Sequence, residues 1–213
     1  IQKASGEYLL FLNSGDVLNN SAVLADIHGF LSGEDIVYGD LVFVRGDGEE
    51  TVFIYPDILT VDYFLERSLG HPATFIKKEL FRNCLYTESL KIVSDWEFFV
   101  KKIILEGCSY RHVKRTISNF DTSGVSSLSA KECNRERELV LKQLFSPVLR
   151  EYFQEAEQLK KLPLLDVFLR LSKTRRLQYR IKPLLLFVLK IDDFVVNQYY
   201  INCATENGII GYP

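Results

Sequence analysis

Apolar positions change their spacing near residue 129. Before it they fall in short runs closed off by Gly, Asn, Asp and Ser; after it they recur at helical spacing. Residues 8–12 (Tyr-Leu-Leu-Phe-Leu) form an unbroken apolar run that ends at Asn13-Ser14-Gly15-Asp16. Such a run predicts a buried strand in a parallel or mixed sheet. Residues 21–30 predict a short helix capped by Ser21 or Asn20. Residues 36–44 predict a second strand, with a break allowed at Gly39, and Asp47-Gly48 predicts the turn into a return strand over 51–55. Short helices are expected over 60–67 and 80–84. The spacing over 94–105 predicts a longer helix, with Ser94 as cap, Glu97 three residues on and Gly107 just past its end. Residues 110–117 mix polar and apolar positions and predict an edge strand. Helices are then expected over 130–145, 147–161, 163–172 and 175–200, the last broken at Pro183. The whole reads as an α/β domain over 1–129 followed by a helical extension over 130–213.

Charge follows the same division. Residues 1–129 carry 12 basic and 18 acidic side chains, residues 130–182 carry 13 and 7, and residues 183–213 carry 1 and 3. The 213 residues have a net charge of −2, which argues against a protein that coats nucleic acid through bulk charge. Cys84, Cys108, Cys133 and Cys203 contain no CxxC pair, so idle thiols are expected rather than a disulfide scaffold. The apolar run 183–189 is stopped by Lys190 and is far shorter than the roughly 20 residues of a membrane-spanning helix. The chain has no methionine and opens Ile1-Gln2-Lys3, without a charged-then-apolar signal segment, which suggests a truncated or processed chain.

Four polar clusters could carry chemistry. Asn13-Ser14-Gly15-Asp16 stands at the carboxyl end of a strand, where open α/β sheets bind ligands. Asp16 there is a candidate ligand for Mg²⁺ or Mn²⁺; the same four residues are also the commonest turn formers. His71, within Gly70-His71-Pro72-Ala73-Thr74-Phe75, is a candidate phosphate donor or metal ligand, or a loop histidine packed for structure. Asp95, in Ser94-Asp95-Trp96-Glu97, is a candidate general base, and equally a first-turn acid favoured by the helix dipole. Trp96, the only tryptophan, reads as core or as an aromatic wall over a sugar. Gly124 and Ser126, within residues 120–127, could bind a diphosphate through backbone amides or simply join the two halves.

Taken in order, these segments resemble inverting family 2 glycosyltransferases, which have the GT-A fold. Residues 4–16 resemble that family's Ala-x-Gly-x-Tyr stretch, apolar strand and Asp-x-Asp-type metal motif. His71 to Phe75 resembles its His-x-Ala-Thr-Phe loop, Ser94-Asp95 its acidic pair at a helix start, and Gly124-Val125-Ser126 its late Gly-x-Ser motif. The resemblance covers about residues 4–127. Two features depart from it. Asn13 and Gly15 replace the carboxylates of the Asp-x-Asp, leaving Asp16, and the family's first half, with the base-binding pocket, has no counterpart.

The resemblance implies transfer of a sugar from a nucleotide-sugar donor to a saccharide or lipid-linked acceptor, with inversion. Asp95 would be the base and Asp16 the metal ligand; Asn13, Ser14, His71, Trp96, Gly124 and Ser126 would contact substrate. The setting it implies is bacterial polysaccharide or glycoconjugate assembly in the cytoplasm. Arg170, Lys173, Arg175, Arg176, Arg180 and Lys182, next to the apolar run, add an expectation of contact with the inner face of the membrane, against the alternative of a helix covering the core. A non-catalytic sugar- or nucleotide-binding module on the same fold is the competing reading. A helical interaction domain over 130–200 is a third, and it leaves residues 4–127 unexplained.

Overall fold

The computed structural model describes residues 1–122 and 130–206, with side chains up to residue 191. It divides into two compact units, Ile1–Pro147 and Val148–Pro213.

The first unit is a mixed sheet with helices. Its centre is β3 (Ile36–Val44), with seven of nine residues buried, as expected of a strand covered on both faces. The strand runs unbroken through Gly39, where its register against β6 shifts. One edge of β3 pairs in parallel with β6 (Tyr110–Asp121). The other edge is shared by two antiparallel partners. Thr74–Lys77 (β5) takes residues 36–38, and Glu50–Phe53 (β4) takes 41–44. Asp47 closes the β3–β4 turn by accepting the Glu49 N–H, so that hairpin forms where the sequence places it. The stretch 110–117 is a strand, and it continues to Asp121, because Val17–Leu18 (β2) pairs with its far end.

Two expectations meet a different outcome here. The run 8–12 forms a strand only at Tyr8–Leu9 (β1), which pairs with β5. Beyond Leu9 the run pairs with no strand: Phe11 packs edge-on against Phe81 and Tyr86, and Leu12 is 41% exposed. A strand exists only where a neighbour offers hydrogen bonds, and apolarity alone does not supply one. Residues 78–81, next to the predicted helix 80–84, form a 3₁₀ turn.

The helices of this unit are short. Val23–His28 (α1) starts later than predicted, with Asn20 accepting the Ala22 N–H. Thr60 caps Val61–Glu66 (α2) by accepting the Tyr63 N–H. Ser94–Phe99 (α3) runs on as a π-helical stretch, Val100–Leu105, and ends before Gly107. Ser94 is its first helical residue rather than its cap; the cap position falls to Val93. Ala130–Leu144 (α4), which charge groups with the extension, lies within this first unit.

The second unit is helical. Pro147–Lys160 (α5), Leu165–Ser172 (α6) and Arg175–Glu206 (α7) follow one another, and α6 packs on α7. Helix α7 passes through Pro183 without the predicted break. Proline there deprives the Tyr179 carbonyl of its partner, and Tyr179 is 79% exposed, so water can satisfy that oxygen. Cys84, Cys108 and Cys133 are free thiols, as expected; Cys203 lies beyond the described side chains. Among the described residues no helix is long and apolar enough to cross a membrane.

Candidate active site

The site is assembled at the carboxyl ends of β3 and β6, inside the first unit. A cavity of about 680 Å³ opens there, lined by Asn13, Ser14, Asp16, Gly70, His71 and Asp95, together with Tyr55, Tyr86, Lys91 and Asp121. Five residues separated by up to 82 positions (Asn13, Ser14, Asp16, His71 and Asp95), singled out from three sequence clusters, therefore share one cavity.

Three of them touch in series. The Asn13 side-chain amide lies 2.9 Å from Nε2 of His71, and Nδ1 of His71 lies 3.0 Å from Oδ2 of Asp95. An ionised carboxylate only accepts, so Nδ1 carries the proton toward Asp95 and Nε2 accepts from the Asn13 amide. This arrangement uses Asn13 as a donor. An aspartate at the same place could not give that bond, which offers a local reason for the departure from Asp-x-Asp. The second oxygen of Asp95 accepts the Trp96 N–H at 2.7 Å. His71 and Asp95 side chains are 19% and 25% exposed, so both are anchored yet reachable.

The turn that carries His71 is held from three sides. Gly70 N–H donates to the Tyr55 hydroxyl at 2.9 Å, Thr74 Oγ1 donates to the Gly70 carbonyl, and Ser118 Oγ donates to the Pro72 carbonyl. Burial pushes the Tyr55 hydroxyl well above its ordinary range, so it stays protonated. A β-carbon at Gly70 would stand 2.7 Å from the Tyr55 oxygen, so only glycine fits this close approach.

Tyr55 is itself fixed by polar side chains on β3 and β6. Asp40 Oδ1 accepts the Tyr55 N–H, Tyr38 donates to the Pro56 carbonyl, and the Tyr110 hydroxyl accepts the Leu59 N–H. His112, its side chain only 2% exposed, stands between two carboxylates. Nε2 is 2.9 Å from Asp40, and Nδ1 is 2.6 Å from Asp57. That hydrogen bond to His112 holds the Asp57 carboxyl below its usual range, and Lys114 adds to it. The ring also stacks on Tyr38, 5.1 Å between centroids.

Helix α3, which carries Asp95, is gripped by α4. Glu136 is 3% exposed, and its carboxylate accepts the backbone N–H groups of Lys91, Ile92 and Val93 at 2.9, 3.0 and 3.2 Å. Burial alone would raise its carboxyl; the three amides outweigh that and hold it below the usual range. The next residue, Arg137, lays its guanidinium 4.9 Å from the Trp96 ring centroid.

One predicted role, that of Trp96, meets a different placement. Trp96, expected as a wall of the sugar pocket, is 1% exposed and does not line the cavity; its indole N–H donates to the Phe64 carbonyl. It is core, supporting the helix that bears Asp95. Asp16 lines the cavity, but its oxygens accept the N–H groups of Asn13 and Asp121 at 3.0 and 3.2 Å. Gly15 makes that junction possible: its φ is +100°, and a β-carbon would stand 2.7 Å from Asp121 Oδ2. Among the described residues no group of three His, Cys, Asp or Glu side chains is placed to hold a metal ion. Gly124 and Ser126 lie outside the described residues.

Tyr55, Tyr86 and Asp121 were not singled out as site residues by sequence. Asp121 carried a weak signal, as a carboxylate directly after the strand-like Ile117-Ser118-Asn119-Phe120. Tyr55 and Tyr86 carried none, since tyrosine is equally a core residue. Among the described residues the buried Tyr86 hydroxyl has no hydrogen-bond partner, and burial pushes it up, with Asp95 adding to the effect.

No known family profile matches the chain. It is similar to the PGL/p-HBAD biosynthesis glycosyltransferases of Mycobacterium bovis (strain BCG / Pasteur 1173P2) and of Mycobacterium tuberculosis (strains ATCC 25177 / H37Ra and ATCC 25618 / H37Rv). In each case 25% of 129 residues are identical, covering 58% of this chain and 48% of the relative. The chain thus spans about half the length of the curated relatives it matches.

Proposed function

We propose that the cavity serves sugar transfer from a nucleotide-sugar donor to a hydroxyl of a saccharide or lipid-linked acceptor, with inversion, on a GT-A domain of the family 2 type. The observation that carries this reading is the Asn13–His71–Asp95 series at the cavity wall. Asp95 takes the acceptor proton. The acceptor oxygen forms its bond to the anomeric carbon as the bond to the diphosphate breaks, and the nucleoside diphosphate leaves with that electron pair. His71 is the less suitable base, because Asn13 already occupies its Nε2. It instead orients the Asp95 carboxylate, and its ring lines the cavity as a substrate contact. Ser14, exposed on the cavity wall, is a further substrate contact. A nucleotide-sugar donor places the work in the cytoplasm, in bacterial polysaccharide or glycoconjugate assembly.

Asp95→Asn in the whole protein is expected to lower nucleoside diphosphate release at least about a hundredfold, the range for loss of a general base. Near-normal release would sink this reading. The alternative, a sugar- or nucleotide-binding module without catalysis, draws on the engagement of both Asp16 oxygens by backbone amides. It predicts donor binding by calorimetry with no diphosphate release in the parent protein.

A further inference from the structure

The second unit presents an unusual surface. Helices α5 and α6 have no buried residue at all. In α7 the six consecutive residues 184–189 (Leu-Leu-Leu-Phe-Val-Leu) are all exposed, from 38% to 62%. Six successive positions go once and a half around a helix, so this is apolar surface on every side. Phe168 and Leu169 of α6 are 51% and 55% exposed. Contiguous apolar surface of this kind marks an interaction site rather than ordinary scatter.

Charge narrows the occupant. Residues 165–191 hold seven basic side chains and one acidic. Arg170, Lys173, Arg175, Arg176, Arg180 and Lys182 stand between the apolar segments, and among the described residues none of the six pairs with a carboxylate. A second copy of this surface would bring like charges together, whereas an anionic one would neutralise them. Long cationic stems also lie along apolar surface while keeping their charge in water. No described helix is long and apolar enough to cross a bilayer, so the geometry is that of lying on one.

We infer that α6 and the first part of α7 form a docking surface for an anionic membrane, with residues 184–189 and Phe168 entering the headgroup boundary and the six basic residues facing lipid phosphates and carboxylates. This stands independently of the glycosyl-transfer reading.

The test is flotation of the whole chain with vesicles of phosphatidylcholine alone, or with about one third phosphatidylserine, at low salt and at about 0.5 M salt. Binding is expected to the anionic vesicles at low salt, at least about tenfold above phosphatidylcholine alone, and to fall steeply with salt. Changing Arg175, Arg176, Arg180 and Lys182 together to Glu should abolish it. Phe187→Glu should weaken it at unchanged salt response. Circular dichroism of both variants checks that the helices persist. Absence of binding at low salt, or equal binding to neutral vesicles, overturns the proposal. So does a concentration-dependent dimer in light scattering that Phe187→Glu dissolves while the parent ignores vesicles, because the face would then belong to a second copy. Diphosphate release plays no part in any outcome, so loss of the transferase reading leaves this one standing.

Discussion

The two units treat burial in opposite ways. In the first, charged and polar groups are drawn inward and answered: Glu136 by three amides, Asp40 by His112 and an amide, Ser118 by a carbonyl, with the Tyr86 hydroxyl an exception. In the second, apolar groups are left outward and the described side chains build little core. Buried polar groups are costly unless fully satisfied, and they then fix one arrangement. Exposed apolar groups fix nothing until something covers them. Unit one is therefore organised to hold a few side chains in register, and unit two to meet a surface.

The largest expected effect tests how far the first unit depends on its inward charges. His112→Ala leaves Asp40 buried without its partner and removes the stack on Tyr38. Leaving a buried acceptor without its donor costs about 1–3 kcal/mol, more when the acceptor is charged. Urea unfolding should show a loss in that range, and diphosphate release should fall with it, since Asp40 anchors Tyr55 and Tyr55 anchors the His71 turn. A loss below about 1 kcal/mol would mean that Asp40 is satisfied by the Tyr55 amide alone.

Glu136 comes next. Glu136→Gln keeps the shape but offers one accepting oxygen to three amides, which is expected to cost about 1–3 kcal/mol. It also carries a pH signature. The folded carboxyl is held below its unfolded value, so the unfolded state binds more protons and stability rises with pH. The contribution is complete above the ordinary glutamate value of 4.5 and is lost as pH falls through the lower folded value. Subtracting the Glu136→Gln profile from the parent should isolate that acid limb. Parallel profiles between pH 2 and about 5 would show that the grip of α4 on residues 91–93 is not ionic.

How far all this was legible follows from where each signal lies. The β3–β4 hairpin is local: Asp47-Gly48 sets its own turn, and β3 announces itself by nine residues of strand pattern. The cavity was partly legible, because Asn13, His71 and Asp95 each stand out in their own segment. Their connection was not, for His71 lies 58 residues from Asn13 and 24 from Asp95. The His112–Asp40 pair spans 72 residues and the Glu136 grip about 45, and neither sequence segment hints at the other. The run 8–12 misled in the other direction. Its composition demands a strand, but pairing depends on a neighbour, and only β5 is at hand. Trp96 could be core or wall from sequence; which one depends on the direction of a single helix face.

The smallest expected effect bears on the second unit. Leu186 is 49% exposed in the middle of the apolar run, and Leu69 of the first unit is 1% exposed. Leu69→Ala removes a packed side chain and should cost about 2–5 kcal/mol. Leu186→Ser replaces a side chain that already faces water, so free-protein stability should change by no more than about 0.5 kcal/mol. The polar substitution is the harsher one chemically, so its small effect would set the two leucines apart by environment alone. A cost above about 2 kcal/mol for Leu186→Ser would mean that the run is covered in solution by the chain itself, and the contrast between the units would collapse into a single core. If the cost is small while anionic vesicle binding weakens, the same leucine contributes nothing to folding and something to docking, which is what an uncovered apolar surface is for.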